Sequence, residues 1–302
     1  MDETAQAGKA RPSMSQRFLS RKSCGPADTK RRGLRAARRV LGPALAAAIS
    51  AGPLAAHEVW IDADRWQVEP SEPIVADLRN GEIFEGIDLA WLPPRIVRAE
   101  IRTGGETRDI AGRAGDIPAF DIGTDDPGLV VLGYQGAPSA LTYDSYEKFE
   151  SFALEKGHAA LIANAPRMAN PRELFARYAK ALVAVGAGAG QDEVFGFEVE
   201  LVAETNPYTA PDKPMVLRLI YQNAALADAR VTVFERPAEG DVQTEVLTTD
   251  AEGRVTFDTT PGSTYLVDSV VLRRPAGELV VRYRVIWESL WASLTFAVPD
   301  DQ

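Results

Sequence analysis

The chain has 302 residues, with 33 Lys or Arg against 43 Asp or Glu and a formal net charge of −10. This acidic balance argues against nucleic acid as a partner, because phosphate backbones attract basic surfaces. The single cysteine, Cys24, excludes an intramolecular disulfide and a zinc site built from several cysteines.

The uneven distribution of charge predicts that residues 1–56 form a signal peptide. Eleven Lys or Arg precede residue 40 against three acids, and residues 40–56 are uncharged. That stretch is shorter than the roughly 20 apolar residues of a membrane span, and the small residues Ala55 and Ala56 end it. We predict cleavage after Ala56, a periplasmic location and no stable membrane insertion afterwards. An uncleaved membrane anchor is the alternative, and the Sec and twin-arginine routes both stay open.

Cleavage after Ala56 would change the charge balance further. Residues 57–302 contain 22 basic and 40 acidic side chains, which give a formal net charge of −18. A protein of this charge attracts cations, including metal ions, and is repelled by anionic membrane surfaces.

Residues 57–302 predict an all-β fold of two β-sandwich domains, Ig-like or prealbumin-like, with one or two short helices. Apolar residues recur at every second position in segments such as 216–221 and 231–233, between clusters of Gly, Pro, Asp and Asn. The fragment from Asp250 to Gly253 predicts a hairpin turn, since Asp binds nearby backbone and Gly tolerates positive φ.

Two segments predict helices. Asp144, with Glu147 three residues later, is typical of a helix start, and Gly157 is typical of a helix end. A second helix is predicted to start at Asn170 and Pro171 and to carry Leu174, Phe175 and Tyr178.

The glycine-rich stretch 185–191 predicts a flexible linker. A dinucleotide-binding loop would also follow an apolar run, but residues 194–204 alternate like a strand instead of forming the required helix. We therefore expect an N-terminal β-rich domain over 57–186, a linker over 187–194 and a C-terminal β-sandwich over 195–302.

Three stretches resemble a known family. They are His57-Glu58-Val59-Trp60, the segment from Arg177 to Leu182 and the segment from Trp287 to Phe296. Together they are similar to the periplasmic family called domain of unknown function 4198, over nearly the whole predicted mature chain. Members are commonly described as periplasmic components of cobalt or nickel uptake systems. The resemblance implies a binding component that serves a metal-uptake transporter in the inner membrane, although this chain has no His-rich tract for several ions.

The histidines are the candidate metal ligands. The chain contains two, and cleavage after Ala56 would make His57 the N-terminal residue. An N-terminal His can chelate one ion through its α-amine, with a reference pKa of about 7.7–8.0, and its ring Nδ1. His158 would supply a third nitrogen and Glu58 an oxygen. Such a site favours Cu²⁺ and then Ni²⁺, and the resemblance adds Co²⁺.

The alternative for these residues is a purely structural one. His57 would then be a solvated terminal residue, His158 a surface loop residue and Glu58 part of a solvated strand face. Trp287 and Trp291 are predicted to share one face of a strand with Ser289, as a structural seam would require.

A metal-binding protein fits the sequence better than a hydrolytic enzyme. No G-x-S-x-G motif is present, and no Cys remains after residue 24. Two other functions stay open: a copper-dependent oxidative enzyme with an N-terminal histidine brace, and a structural or protein-interaction module.

Overall fold

Strands dominate the described part of the chain. A computed structural model describes residues 57–300, so the predicted signal peptide lies outside the described residues. About 48% of the described residues are strand and 10% helix, which confirms the predicted all-β class. In chain order the first nine strands are β1 (Glu58–Ala63), β2 (Gln67–Val68), β3 (Ile74–Glu82), β4 (Glu85–Leu89), β5 (Ile96–Thr103), β6 (Glu106–Asp109), β7 (Phe120–Ile122), β8 (Gly128–Gly136) and β9 (Ser139–Thr142). The others are β10 (Arg172–Val185), β11 (Val199–Ala203), β12 (Met215–Tyr221), β13 (Ala224–Ala225), β14 (Arg230–Arg236), β15 (Gln243–Thr248), β16 (Arg254–Phe257), β17 (Thr264–Arg273) and β18 (Trp287–Ala297).

These strands form three sheets in three layers. The central sheet has the order β15-β14-β17-β18-β10-β8-β5-β6, and β2 and β9 also pair with β10. A sheet of β1, β3, β4 and β7 packs on one face, and a sheet of β11, β12, β13 and β16 packs on the other. The two predicted sandwiches thus share their middle layer.

Strand β10 replaces the second predicted helix, so that prediction was wrong. Ala181 and Val183 pack against the β1 sheet, while Leu182 and Ala184 pack against the β11 sheet. A strand buried on both faces needs apolar residues at consecutive positions, and its sequence therefore loses the alternation that marks a half-buried strand. Its parallel pairing with β18 places it at the centre of the molecule.

Within residues 57–300, three short α-helices accompany the sheets: α1 (Tyr146–Glu155), α2 (Ala159–Ile162) and α3 (Gly277–Tyr283). The first predicted helix is α1, but Ser145 caps it, since its side chain accepts a hydrogen bond from Lys148 N at 3.4 Å. Asp144 instead binds the ammonium of Lys148. No helix within residues 57–300 has both the length and the apolar character needed to cross a membrane.

The predicted linker, 187–194, is anchored within the fold rather than flexible. The carboxylate of Asp192 is fully buried, lies 2.8 Å from Lys180 Nζ and accepts a 2.8 Å hydrogen bond from Ala203 N. The Asn206 amide donates to the carbonyls of Gly188 and Gly190 at 2.8 and 3.0 Å. The glycines therefore shape a packed turn, and the central sheet draws strands from both predicted domains.

The Asp250 turn has the predicted chemistry but a different position in the fold. Asp250 Oδ1 accepts hydrogen bonds from the backbone of Glu252 and Arg254 at 3.0 and 2.7 Å, and Gly253 has a φ of 78°. The turn is not a hairpin, because the strands on either side of it do not pair: β15 belongs to the central sheet and β16 to an outer one.

The tryptophan seam is confirmed. Trp287 and Trp291 stack on Phe149 and Phe152 of α1, with ring centroids 5.1 and 5.6 Å apart. Ser289 lies between them, and its hydroxyl accepts a 2.9 Å hydrogen bond from Trp291 Nε1. The seam attaches α1 to the central sheet.

Candidate functional site

His57 lies just before β1, at an open acidic cavity. Strand β1 runs antiparallel to β3, with Glu58 opposite Gly81, which brings His57 beside Glu82. Nδ1 of His57 lies 2.9 Å from Glu82 Oε1, and 32% of the His57 side chain is exposed. A carboxylate only accepts hydrogen bonds, so Nδ1 carries the proton in this arrangement. Seven residues line this cavity of about 530 Å³: His57, Gly81, Glu82, Ile83, Glu85, Asp241 and Val242.

Arg177 holds the backbone of His57 from the central sheet. Its Nε and Nη2 both donate to the His57 carbonyl, at 3.1 and 2.9 Å. The guanidinium also stacks over the ring of Phe175, 4.2 Å from its centroid. Burial lowers the pKa of Arg177 to about 10, so the side chain remains a cation at neutral pH. Parallel pairing of β10 with β18 brings Arg177 opposite Trp291.

The side chain of Glu58 points into a buried ionic cluster instead of the cavity of His57. Its Oε1 lies 2.6 Å from Lys156 Nζ, and Lys156 also donates to Asp268 Oδ2 at 3.1 Å. Burial disfavours the charge of Lys156, but Asp268 and Glu58 outweigh that effect and raise the pKa of Lys156. Burial raises the pKa of Asp268 to about 6. Glu58 is therefore a structural ion-pair partner in this state, rather than the solvated residue of the alternative.

His158 is the residue that precedes the short helix α2, and its side chain makes no capping hydrogen bond. Its Nε2 donates to the Val270 carbonyl at 3.0 Å, which fixes the proton on Nε2 because a carbonyl oxygen only accepts. Burial lowers the pKa of His158, so the ring is neutral at pH 7. Nδ1 is the nitrogen that this arrangement leaves for another ligand.

The structure therefore does not gather the three predicted ligands. His57 opens to the acidic cavity, whereas Glu58 pairs with Lys156 and His158 binds the Val270 carbonyl of β17. Within residues 57–300, no three His, Cys, Asp or Glu side chains converge to hold a metal ion. The sequence analysis missed Glu82, because only the register of β1 against β3 reveals its closeness to His57.

A second cavity, of about 310 Å³, lies behind His57. Val59, Leu78 and Phe175 form part of its apolar wall, and Arg95 and Arg177 are its charged side chains. Nothing in the sequence pattern indicated it, because its walls come from five separate parts of the chain.

The model of the family described as "Domain of unknown function (DUF4198)" matches residues 54–272. The chain belongs to this family. Two of the three stretches that carried the resemblance, at His57 and at Arg177, lie inside the matched region, and in the structure they meet through the hydrogen bonds of Arg177. The third, 287–296, lies beyond the family match. It nevertheless contacts the first, because the Ser293 hydroxyl donates to the Val59 carbonyl at 2.6 Å.

The other comparisons give this DUF4198 chain no function. No curated protein matches it. It is similar to a solved structure titled "Crystal structure of tetra-tandem repeat in extending region of large adhesion protein", with 11% identity, a TM-score of 0.22 and coverage of 79% of this chain and 49% of that one. It is also similar to the "D0-D1 domain of Intimin", with 13% identity, a TM-score of 0.20 and coverage of 78% and 97%. The chain thus spans about half of the adhesion-protein structure, and neither likeness supports a functional argument.

Proposed function

We propose that this chain is an exported periplasmic binding protein that holds one transition-metal ion, Cu²⁺ or Ni²⁺/Co²⁺, at His57 once residues 1–56 are removed. One observation carries the proposal: His57 lies at the mouth of an acidic cavity with the Glu82 carboxylate 2.9 Å from its Nδ1. The commonly described role of the DUF4198 family in metal uptake supports it. An inner-membrane metal-uptake transporter is the proposed recipient of the ion.

The donor set fits such an ion once processing has freed the α-amine. His57 supplies the amine and Nδ1, and Glu82 supplies an oxygen, which is a mixed nitrogen and oxygen set suited to Cu²⁺ and Ni²⁺. The His57–Glu82 hydrogen bond must give way to the ion, with loss of the Nδ1 proton. Glu82 is 57% exposed, so its carboxylate is free to turn. Glu85 and Asp241 add negative charge to the cavity and attract the cation.

Glu82 takes the place in this proposal that the sequence analysis gave to His158. His158 uses Nε2 on the Val270 carbonyl, and Glu58 is paired with Lys156, so both would have to leave buried contacts to reach an ion at His57. The experiment below compares His158 directly with Glu82, and Glu58 stays a prediction.

The test is a calorimetric titration with Ni²⁺ and Cu²⁺ of protein expressed with its own leader and recovered from the periplasm. We expect one ion per chain, no measurable binding to His57→Ala and at least about tenfold weaker binding to Glu82→Gln. Glu85→Gln, in the same cavity, is the matched control and should change affinity less. His158→Ala should leave binding unchanged. Equal affinities of wild type and His57→Ala would contradict the proposal.

A further inference from the structure

The second cavity contains two arginines that lack acidic partners. Arg177 donates only to the His57 carbonyl and Arg95 donates to Ser139 Oγ at 3.1 Å, and neither forms an ion pair within residues 57–300. Arg79 and Arg236, in contrast, both pair with Asp62.

Burying the guanidinium of Arg177 is costly, because its two hydrogen bonds to one carbonyl replace only part of the lost hydration, and Glu173 and Glu58 act on it without forming an ion pair. The lowered pKa of Arg177 reflects this cost. A bound anion would remove it, and the planar forks of two arginines match a carboxylate in particular.

Tyr134 adds a neutral donor to the same cavity wall as the two cations. Its side chain is only 6% exposed, and Arg177 and Arg95 are the charges that act on its hydroxyl. Burial outweighs them and raises the pKa of Tyr134, so the hydroxyl keeps its proton. Gly136 leaves room beside it, since a Cβ there would lie 3.2 Å from the Tyr134 hydroxyl oxygen.

The rest of the cavity wall is apolar except for Ser139. Val59 and Leu78 come from the β1 sheet, Ile96 from the start of β5 and Phe175 from β10. A volume of about 310 Å³ is within the range of small-molecule sites, which are mostly apolar with a few converging polar groups.

We propose that this cavity binds a small organic monocarboxylate with an apolar body, whose carboxylate lies against Arg95, Arg177 and Tyr134. The apolar wall disfavours inorganic phosphate or sulfate, which would leave it uncovered. The two cations disfavour a neutral ligand of the same shape, which would leave them without a counter-charge. This site is independent of metal binding at His57, although Arg177 lies next to both.

The test is a calorimetric and NMR titration with benzoate and hexanoate of protein produced from the full chain. We expect saturable 1:1 binding of both, at least about tenfold weaker binding of benzamide, and no competition by inorganic phosphate. Arg95→Met should weaken benzoate binding about tenfold, and Tyr134→Phe should weaken it several-fold. Arg113→Met is the matched control, since Arg113 is 91% exposed and lies outside the cavity.

Arg95 is preferred to Arg177 for this test, because its side chain is exposed and its loss leaves the His57 backbone contact intact. Thermal unfolding of each variant checks that it is folded. Absence of benzoate and hexanoate binding at millimolar concentrations would overturn the proposal, as would equal binding of benzamide or full competition by phosphate. The Ni²⁺ affinity of Arg95→Met should equal that of wild type. A failure of the carboxylate proposal can therefore be distinguished from a failure of the metal proposal.

Discussion

Arg177 donates two hydrogen bonds to the backbone carbonyl of His57, at 3.1 and 2.9 Å, across 120 residues of sequence. The contact joins β10 of the central sheet to the start of β1, where the predicted mature chain begins. Arg177 thereby holds in place the residue that carries the proposed metal site. The side chain of Arg177 also lines the proposed carboxylate site.

Arg177→Lys should destabilise the protein, because an ammonium cannot donate two bonds in the geometry of the guanidinium fork. We expect a loss of about 1–3 kcal/mol in the free energy of unfolding, measured by urea titration. Arg172→Lys is the matched control on the same strand, where Arg172 is exposed and makes one long contact to Thr142. Equal stability of the two variants would show that the Arg177 contact does not hold the chain.

Asp192→Ala should destabilise the protein strongly, because it leaves the buried Lys180 ammonium with Glu200, at 3.7 Å, as its nearest carboxylate. Breaking a buried pair typically costs about 3–5 kcal/mol. Glu193→Ala, at the next residue, should cost no more than about 1 kcal/mol, since its carboxylate accepts one exposed hydrogen bond from Gly105 N. Limited proteolysis should cleave 187–194 readily only in Asp192→Ala. Ready cleavage of the wild type within 187–194 would show instead that this segment is a flexible linker.

Glu173 should make stability depend on pH. It is fully buried, and burial raises its pKa from 4.5 to about 7, against hydrogen bonds from Ser289 and Tyr143. Because the folded state binds this proton more tightly than the unfolded state, the free energy of unfolding should fall as the pH rises from about 4.5 to about 7. The contribution is on the order of 3 kcal/mol.

Glu173→Gln tests this dependence, because the amide has no proton to lose in this range. Urea unfolding at several pH values should show a shallower slope in the variant, with Asp268 accounting for part of what remains. Glu245→Gln, on the exposed strand β15, is the control and should keep the wild-type slope. Identical slopes for Glu173→Gln and wild type would contradict the assignment.

Local patterns predicted the strands but not their partners. The alternation in β12 matches its largely alternating burial, and the Asp250 turn has the chemistry its sequence predicts. The same rules failed for β10, where burial on both faces erased the alternation. They also could not reveal that β10 pairs with β18, because that register depends on packing between segments far apart in sequence.

The candidate site was predictable only in part, because its contacts also depend on packing between segments far apart in sequence. His57 was identified from the predicted cleavage position, yet its neighbour Glu82 follows only from the pairing of β1 with β3. Arg177 lies in one of the stretches that resemble the family, but its role could be identified only once the position of the His57 carbonyl was known. His158 was chosen as the second histidine, and the structure gives its Nε2 a backbone partner instead.

Processing is the first condition of the metal proposal. Protein recovered from the periplasm should begin His-Glu-Val-Trp, because the small residues Ala55 and Ala56 precede this polar start. N-terminal sequencing and intact mass decide the point. A chain that retains residues 1–56, or one that begins inside β1, would remove the chelating amine on which the site depends.

The most direct measurement is calorimetric titration with Ni²⁺ of two proteins that differ only by one extra Ala ahead of His57. Both keep the His57 ring, Glu82 and the acidic cavity, but only the shorter one has the amine and Nδ1 on the same residue. We expect one Ni²⁺ per chain for the protein that begins at His57, and at least about tenfold weaker binding for the extended one. Equal affinity in the two proteins, or no binding to the protein that begins at His57, would contradict the metal proposal.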